Sequence, residues 1–242
     1  MSTLLLRLAA PLQSWGADSK FEERRATMRE PTKSGVIGML AAALGRRRDE
    51  PVDDLSKLRF GVRIDQPGQL LRDYHTAKSS DGKTSYVTNR YYLADAVFLV
   101  GLEGDVDLLH VLHEALLAPV FPLYLGRRSC PPVGRISLGV SENALEKALD
   151  SASWQAGKHT KRKAFFSDEP HNLTLVLDAA GVGSLRRPDL PLSFSQKHRK
   201  HMYRYFIDKP EAVPARNLFE TEHDAFGAVE EGVKLANIQN KT

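Results

Sequence analysis

Three groups of side chains in this chain are of the kinds that act on phosphates or sugars. Arg72, Asp73, Tyr74, His75 and Lys78 supply the base, acid and cation that metal-independent RNA cleavage at a 2′-hydroxyl requires. An aspartate beside a histidine serves equally as a plain strand-end hydrogen bond. Tyr124-Leu125-Gly126-Arg127-Arg128 sets a ring that can stack on a base beside two guanidiniums that can grip phosphate bidentately. The alternative is a glycine turn with surface arginines. Thr32, Lys33, Ser34 and Gly35 open a helix with free N–H groups, two hydroxyls and an ammonium. That is the composition of an anion site, and also of an ordinary capped helix.

Other chemistries find little support. The histidines lack metal-ligand spacing apart from His110, His113 and Glu114 on one helix, which have no cysteine or third ligand beside them, and no cofactor or metal is expected. There is no GxxxxGK[ST] loop for nucleoside triphosphates and no GxSxG elbow for a nucleophilic serine. The single Cys130 allows no internal disulfide and fits a reducing, cytoplasmic setting. No apolar run is long enough to cross a bilayer, and the first residues lack the charged region of a signal peptide, so no membrane partner is expected. The net charge of +4 is a mild bias towards polyanions, sharpened by basic runs at Lys158–Lys163 and Lys197–His201.

These groups need elements to hold them. Leu4–Ala10 reads as a first strand, broken by the turn Pro11–Gly16. A charged loop, Asp18–Arg29, carries Arg24, Arg25 and Arg29. Pro31–Arg48 holds a helix with Val36, Ile37, Leu40, Ala43 and Leu44 inward, Thr32 as cap and Gly45 as stop. Asp53–Lys57 forms a short turn and Arg59–Asp65 a strand. Gln69–Tyr92 sustains no period but is crowded with polar, basic and aromatic residues around the turn dipeptide Asp81-Gly82, which predicts an inserted hairpin. Then come a buried strand (Ala94–Leu102), an amphipathic helix (Val106–Leu117, capped by Asp105 or Asp107) and a strand at Val120–Leu125.

That order predicts an α+β, ferredoxin-like (RRM-like) βαββαβ palm over residues 1–140, an antiparallel sheet with two helices on one face, with a hairpin thumb inserted at about 69–92. Residues 141–210 are expected to form a smaller β-rich extension: a short helix (Ser141–Leu149), a basic loop, and strands at Asn172–Asp178 and Met202–Ile207. Residues 211–242 are expected to form an acidic, loosely ordered tail.

RLAAPLQSWG (Arg7–Gly16), PTKSGVIGMLAAALG (Pro31–Gly45), LRDYHT (Leu71–Thr76) and YLGRRSCP (Tyr124–Pro131), taken together and in this order, resemble the landmarks of the CasD-type subunit of the type I-E CRISPR Cascade complex, in the RAMP superfamily. The resemblance covers the first 140 residues or so. It implies a non-catalytic subunit that caps the 5′ handle of the CRISPR RNA, lies beside the Cascade backbone subunits and the large subunit, lays a hairpin thumb over the guide, and meets target DNA only through that guide. It implies RNA-binding roles for Gln13, Ser14, Trp15, Arg24, Arg25, Lys33, Ser34, Gly35, Arg72, His75, Tyr124, Arg127 and Arg128. Relatives in another CRISPR subtype cut precursor RNA, so a metal-independent endoribonuclease is the alternative expectation. No Tyr, Lys and His set stands near the helix start, while Tyr74 and His75 keep that alternative open. Gly181-Val182-Gly183 is a weak echo of the superfamily's glycine-rich loop.

Overall fold

The computed structural model describes residues 1–16, 24–167, 171–180 and 184–215. In chain order its elements are β1 (Ser2–Ala9), β2 (Leu12–Gln13), β3 (Trp15–Gly16), β4 (Arg24–Arg25), β5 (Thr27–Met28), α1 (Lys33–Ala43), α2 (Asp53–Ser56), β6 (Arg59–Gln66), β7 (Gln69–Lys78), β8 (Ser85–Ala94), β9 (Val97–Gly104), α3 (Val106–Leu117), β10 (Ser137–Ser141), α4 (Leu145–Ser151), α5 (Lys158–Phe165), β11 (Asn172–Asp178), β12 (Leu185–Ser193) and β13 (Lys200–Pro214).

Seven strands make one sheet in the order β10-β1-β9-β6-β11-β13-β12, with every neighbouring pair antiparallel. Side chains alternate across it with a period of two. Leu4, Leu6 and Leu8 of β1, Phe60 and Val62 of β6, and Phe98, Val100 and Leu102 of β9 enter one core, which α1 and α3 close with Val36, Ile37, Leu40, Leu109 and Leu112. Leu99 of β9 and Leu173, Leu175 and Leu177 of β11 enter a second core on the opposite face, with Leu145 and Leu149 of α4, Trp154 of the segment after it, and Ala164 of α5. Both faces of the sheet are therefore covered, where the sequence predicts helices on one face only.

A buried polar cluster ties the segment after α4 to β6. Arg63 in β6 donates to Asp65 and to the carbonyls of Leu149, Ala152 and Ser153, so the guanidinium terminates α4. Trp154 Nε1 donates to the Asp65 carbonyl at 2.8 Å. Residues 141–215 thus add strands to the main sheet beside β6 and a helical cover beneath it, rather than standing apart.

The last strand of the expected palm is corrected. Val120–Leu125 is a loop, and the strand that pairs with β1 is β10. The loop satisfies its backbone without a ladder: Val120 and Phe121 donate to the carbonyls of Ala43 and Ala42, and Leu125 donates to that of Cys130. The basic run expected as a loop is helix α5, and β12 and the short strands β2 to β5 are further additions. The acidic tail, apart from residues 211–215 at the end of β13, and Gly181-Val182-Gly183 lie outside the described residues.

The hairpin is present. β7 and β8 pair from Gln69↔Ala94 to Lys78↔Ser85, a register centred on Asp81-Gly82, with Gly82 at φ +71°. It is exposed along nearly all of β7 and at Ser85 and Tyr86 of β8, the next five residues of β8 being part-exposed. The edge of β8 away from β7 is joined by β2 at Leu93 and Ala94 and, further out, by β4, running parallel, at Asn89 and Arg90.

Candidate nucleic-acid interface

The loop Tyr124–Cys130 is locked against the segment that follows β1. Ser14 N donates to the Leu125 carbonyl at 3.1 Å, Cys130 N donates to that of Arg127 at 2.9 Å, and Leu125 is fully buried. Gly126 sits at φ +86°, and a Cβ there would fall 1.6 Å from the Ser14 carbonyl oxygen. Only glycine allows this approach and this backbone. Burial pushes the Cys130 thiol up from its ordinary range, so this cysteine packs the loop and is no thiolate nucleophile.

The consequence is the position of Arg127. Its guanidinium lies 4.6 Å over the ring of Tyr92, and Nη2 donates to the Arg25 carbonyl at 3.0 Å. Arg25, in β4, is in register with Arg90 of β8, two residues from Tyr92 and on the same face. Arg25, Arg90 and Arg127 thus meet at the hairpin base. Nη1 of Arg127 and Nε of Arg90 are buried with no hydrogen-bond partner among the described residues. A buried guanidinium N–H left unmatched costs about 1–3 kcal/mol or more. Among the described residues no carboxylate forms an ion pair with Arg25, Arg90, Arg127 or Arg128. Asp73, opposite Arg90 on β7, is the nearest acidic residue in the ladder. Arg128 is exposed beside the cluster and Tyr124 is half-buried.

The other expected residues divide sharply. Gln13 is fully buried: its amide donates to the carbonyls of Leu8 and Ala96 and its oxygen accepts from Trp15 Nε1 at 3.1 Å. Ser14 Oγ donates to the Tyr91 carbonyl, and Trp15 is wholly inside the core. These three build the wall behind Arg127, with no side chain to offer RNA. Arg24 pairs through its backbone with Asn89. Arg72 and His75 are exposed on β7; Arg72 Nε donates to Asn89 Oδ1, and the His75 carbonyl accepts from Thr88.

The start of α1 holds an anion, but the protein's own. Thr32 caps the helix, Lys33 N donates to Asp189 at 3.0 Å, and the Lys33 ammonium pairs with Asp178 at 2.9 Å. Arg204 bridges the same two carboxylates. Lys33 is buried, so its role is to fasten α1 to β11 and β12, which corrects the expected phosphate contact. Ser34 remains part-exposed, its hydroxyl 3.5 Å from that of Thr32. Gly35 is small for packing: a Cβ would stand 2.9 Å from the Trp15 ring.

Arg90 and Tyr92 were not among the expected site residues. Their signal was the Arg-x-aromatic alternation in Asn89-Arg90-Tyr91-Tyr92, which places both on one face once β8 is known to be extended. His113, on the helix with His110 and Glu114, bonds to Ser137 of β10 instead of joining a ligand set. The described residues contain no cluster suited to a metal, and no described helix is long and apolar enough to span a membrane.

Comparison with known proteins accords with this geometry. The chain is 38% identical over 170 residues to the CRISPR system Cascade subunit CasD of Escherichia coli (strain K12), covering 61% of this chain and 75% of that one. Among solved structures, a chain described as "Crystal structure of Cas protein" is 40% identical with a TM-score of 0.70, covering 91% of this chain and 100% of the other. A chain of a CRISPR RNA-guided surveillance complex is 34% identical at the same TM-score, covering 88% and 91%. The family described as CRISPR-associated protein (Cas_Cas5) matches residues 3–207. With an arginine cluster at the foot of an exposed hairpin, and that match running through nearly every described strand, the chain belongs to the CRISPR-associated Cas_Cas5 family.

Proposed function

We propose that this chain is a subunit of a CRISPR RNA-guided surveillance complex, in the cytoplasm, and that it holds the 5′ handle of the CRISPR RNA without cutting it. The observation that carries the reading is the pair of buried, unpartnered guanidinium nitrogens on Arg90 and Arg127. The two guanidiniums stand at the root of an exposed hairpin, where their part-exposed faces can meet phosphate. Arg25 and Arg128 add charge around them, and Tyr124 and the exposed Tyr74 offer surfaces on which bases stack. Arg72 and His75 line the hairpin along which the guide would leave. The β1–α1–β6–β9–α3–β10 frame is read as a ferredoxin-like palm, supported by the antiparallel order β10-β1-β9-β6 with α1 and α3 on one face. The hairpin then acts as a thumb towards the backbone subunit, with the large subunit as a second neighbour and target DNA met through the guide.

Absence of cleavage is supported by the strand. Successive side chains of β7 point to opposite faces, so Tyr74 and His75 do not converge on one scissile phosphate. Holding RNA tightly in its ground state lowers no barrier. The test is a single-turnover incubation of labelled repeat RNA with excess protein in EDTA, comparing wild type with His75→Ala. RNA bound and left whole by both proteins is expected. Site-specific cutting by the wild type that disappears in the variant would establish the endoribonuclease instead.

A further inference from the structure

The strands β12 and β13 carry a second surface that the handle site does not use. Tyr203 and Tyr205 stand two residues apart on β13, hence on one face and about 6.6 Å apart along the strand. They are 54% and 49% exposed, unusual for aromatic side chains in a long sheet strand. This is the face that α4 covers over β1, β6 and β9, since Ile207, next in the alternation, packs into the core under α4 and α5. The helices that reach β12, α1 and α2, lie on the other face, where Arg204 and Phe206 are buried.

Arg186 completes the arrangement. It is opposite Tyr205 in the ladder, and its guanidinium lies 5.0 Å over the Tyr203 ring. The stacked contact holds the charge at the sheet surface while leaving its donors to solvent. No carboxylate among the described residues forms an ion pair with Arg186. Lys209, exposed further along the same face, adds a second cation. Asp208 alternates to the opposite face.

We infer that Tyr203, Tyr205 and Arg186 form a stacking platform for single-stranded nucleic acid, separate from the arginine cluster at the hairpin base. Adjacent exposed rings on a sheet accept successive bases irrespective of sequence, and each stacked base contributes enough for a substitution to be read in affinity. The guanidinium, fixed over one ring, is placed to meet the phosphate between them. The charge of the face selects a polyanion over an apolar peptide segment.

The experiment uses the full chain with Arg25→Ala and Arg127→Ala in place, so that loss of handle binding cannot be mistaken for loss of this surface. Fluorescein-labelled U15 and dT15 are titrated at low salt and followed by anisotropy. Tyr203→Leu/Tyr205→Leu is expected to weaken binding about tenfold or more. Tyr203→Phe/Tyr205→Phe keeps the rings and should bind within about twofold of its parent, and Arg186→Ala should weaken binding and flatten its salt dependence. The two oligonucleotides report whether the sugar matters. A 5-bromouridine oligonucleotide irradiated on the unsubstituted protein should cross-link to Tyr203 or Tyr205, a readout independent of how the leucine variant folds. No homopolymer binding, equal affinity for the leucine variant, a phenylalanine variant as weak as leucine, or cross-links confined elsewhere would each overturn the platform.

Discussion

At the scale of single residues, two glycines illustrate why a residue's type does not disclose its role. Gly35 sits in a stretch composed like a phosphate loop, yet it is needed because Trp15 lies against it. Gly126 is one residue from the guanidinium that matters, and its left-handed φ and contact with the Ser14 carbonyl set where Arg127 goes. The two should therefore fail differently. Gly35→Ala overpacks the Trp15 wall, which costs about 1–3 kcal/mol, and should lower the melting temperature while the folded fraction keeps its RNA affinity. Gly126→Ala should displace the loop and weaken handle-RNA binding by roughly tenfold or more, the scale of one lost charge-assisted contact. Melting curves and anisotropy titrations on both variants distinguish them. Intact RNA affinity in Gly126→Ala would mean that the loop does not position the binding group.

At the scale of elements, the hairpin is built for reach rather than stability. Its strands bond to each other and to β2 and β4, but the outer part contributes nothing to either core. Replacing Ser79–Thr84 with a short Gly-Ser turn should leave the melting temperature almost unchanged and impair co-assembly with a backbone subunit. A large fall in melting temperature would place the tip in the core. This element was legible from its own residues: folding the chain on Asp81-Gly82 pairs Arg72 with Tyr91, as observed. The helices α1 and α3 were legible from period and caps, with Asp105 accepting from the N–H groups of Asp107 and Leu108. Val120–Leu125 misled because a short apolar run satisfies the pattern of a buried strand whether or not a partner edge is free. That edge of β1 is taken by Ser137–Ser141, a pairing across more than a hundred residues that no local pattern encodes. The same limit hid the fate of Lys33, whose partners Asp178 and Asp189 come from β11 and β12.

At the scale of the molecule, one sheet joins the hairpin base to the exposed tyrosine face. The arginine cluster hangs from the β6–β9 connection, and β11, β13 and β12 extend the sheet from β6 towards the tyrosine face. The modest net charge of +4 does not show this division: among the described residues no carboxylate pairs with Arg25, Arg90 or Arg127 at the hairpin base, while the cations under α1 are neutralised by Asp178, Asp189 and Glu30. Local charge, not total charge, sets how a protein grips a polyanion. An Arg127 that holds a phosphate of bound RNA must show itself in the salt dependence of binding. Handle RNA is titrated by anisotropy across a series of salt concentrations with wild type and Arg127→Ala. The slope of log affinity against log salt is expected to become shallower by about 0.7 in the variant, the single-strand value for one lost phosphate contact, with a clear loss of affinity at every salt concentration. An Arg127→Ala protein with the affinity and slope of the wild type would contradict it.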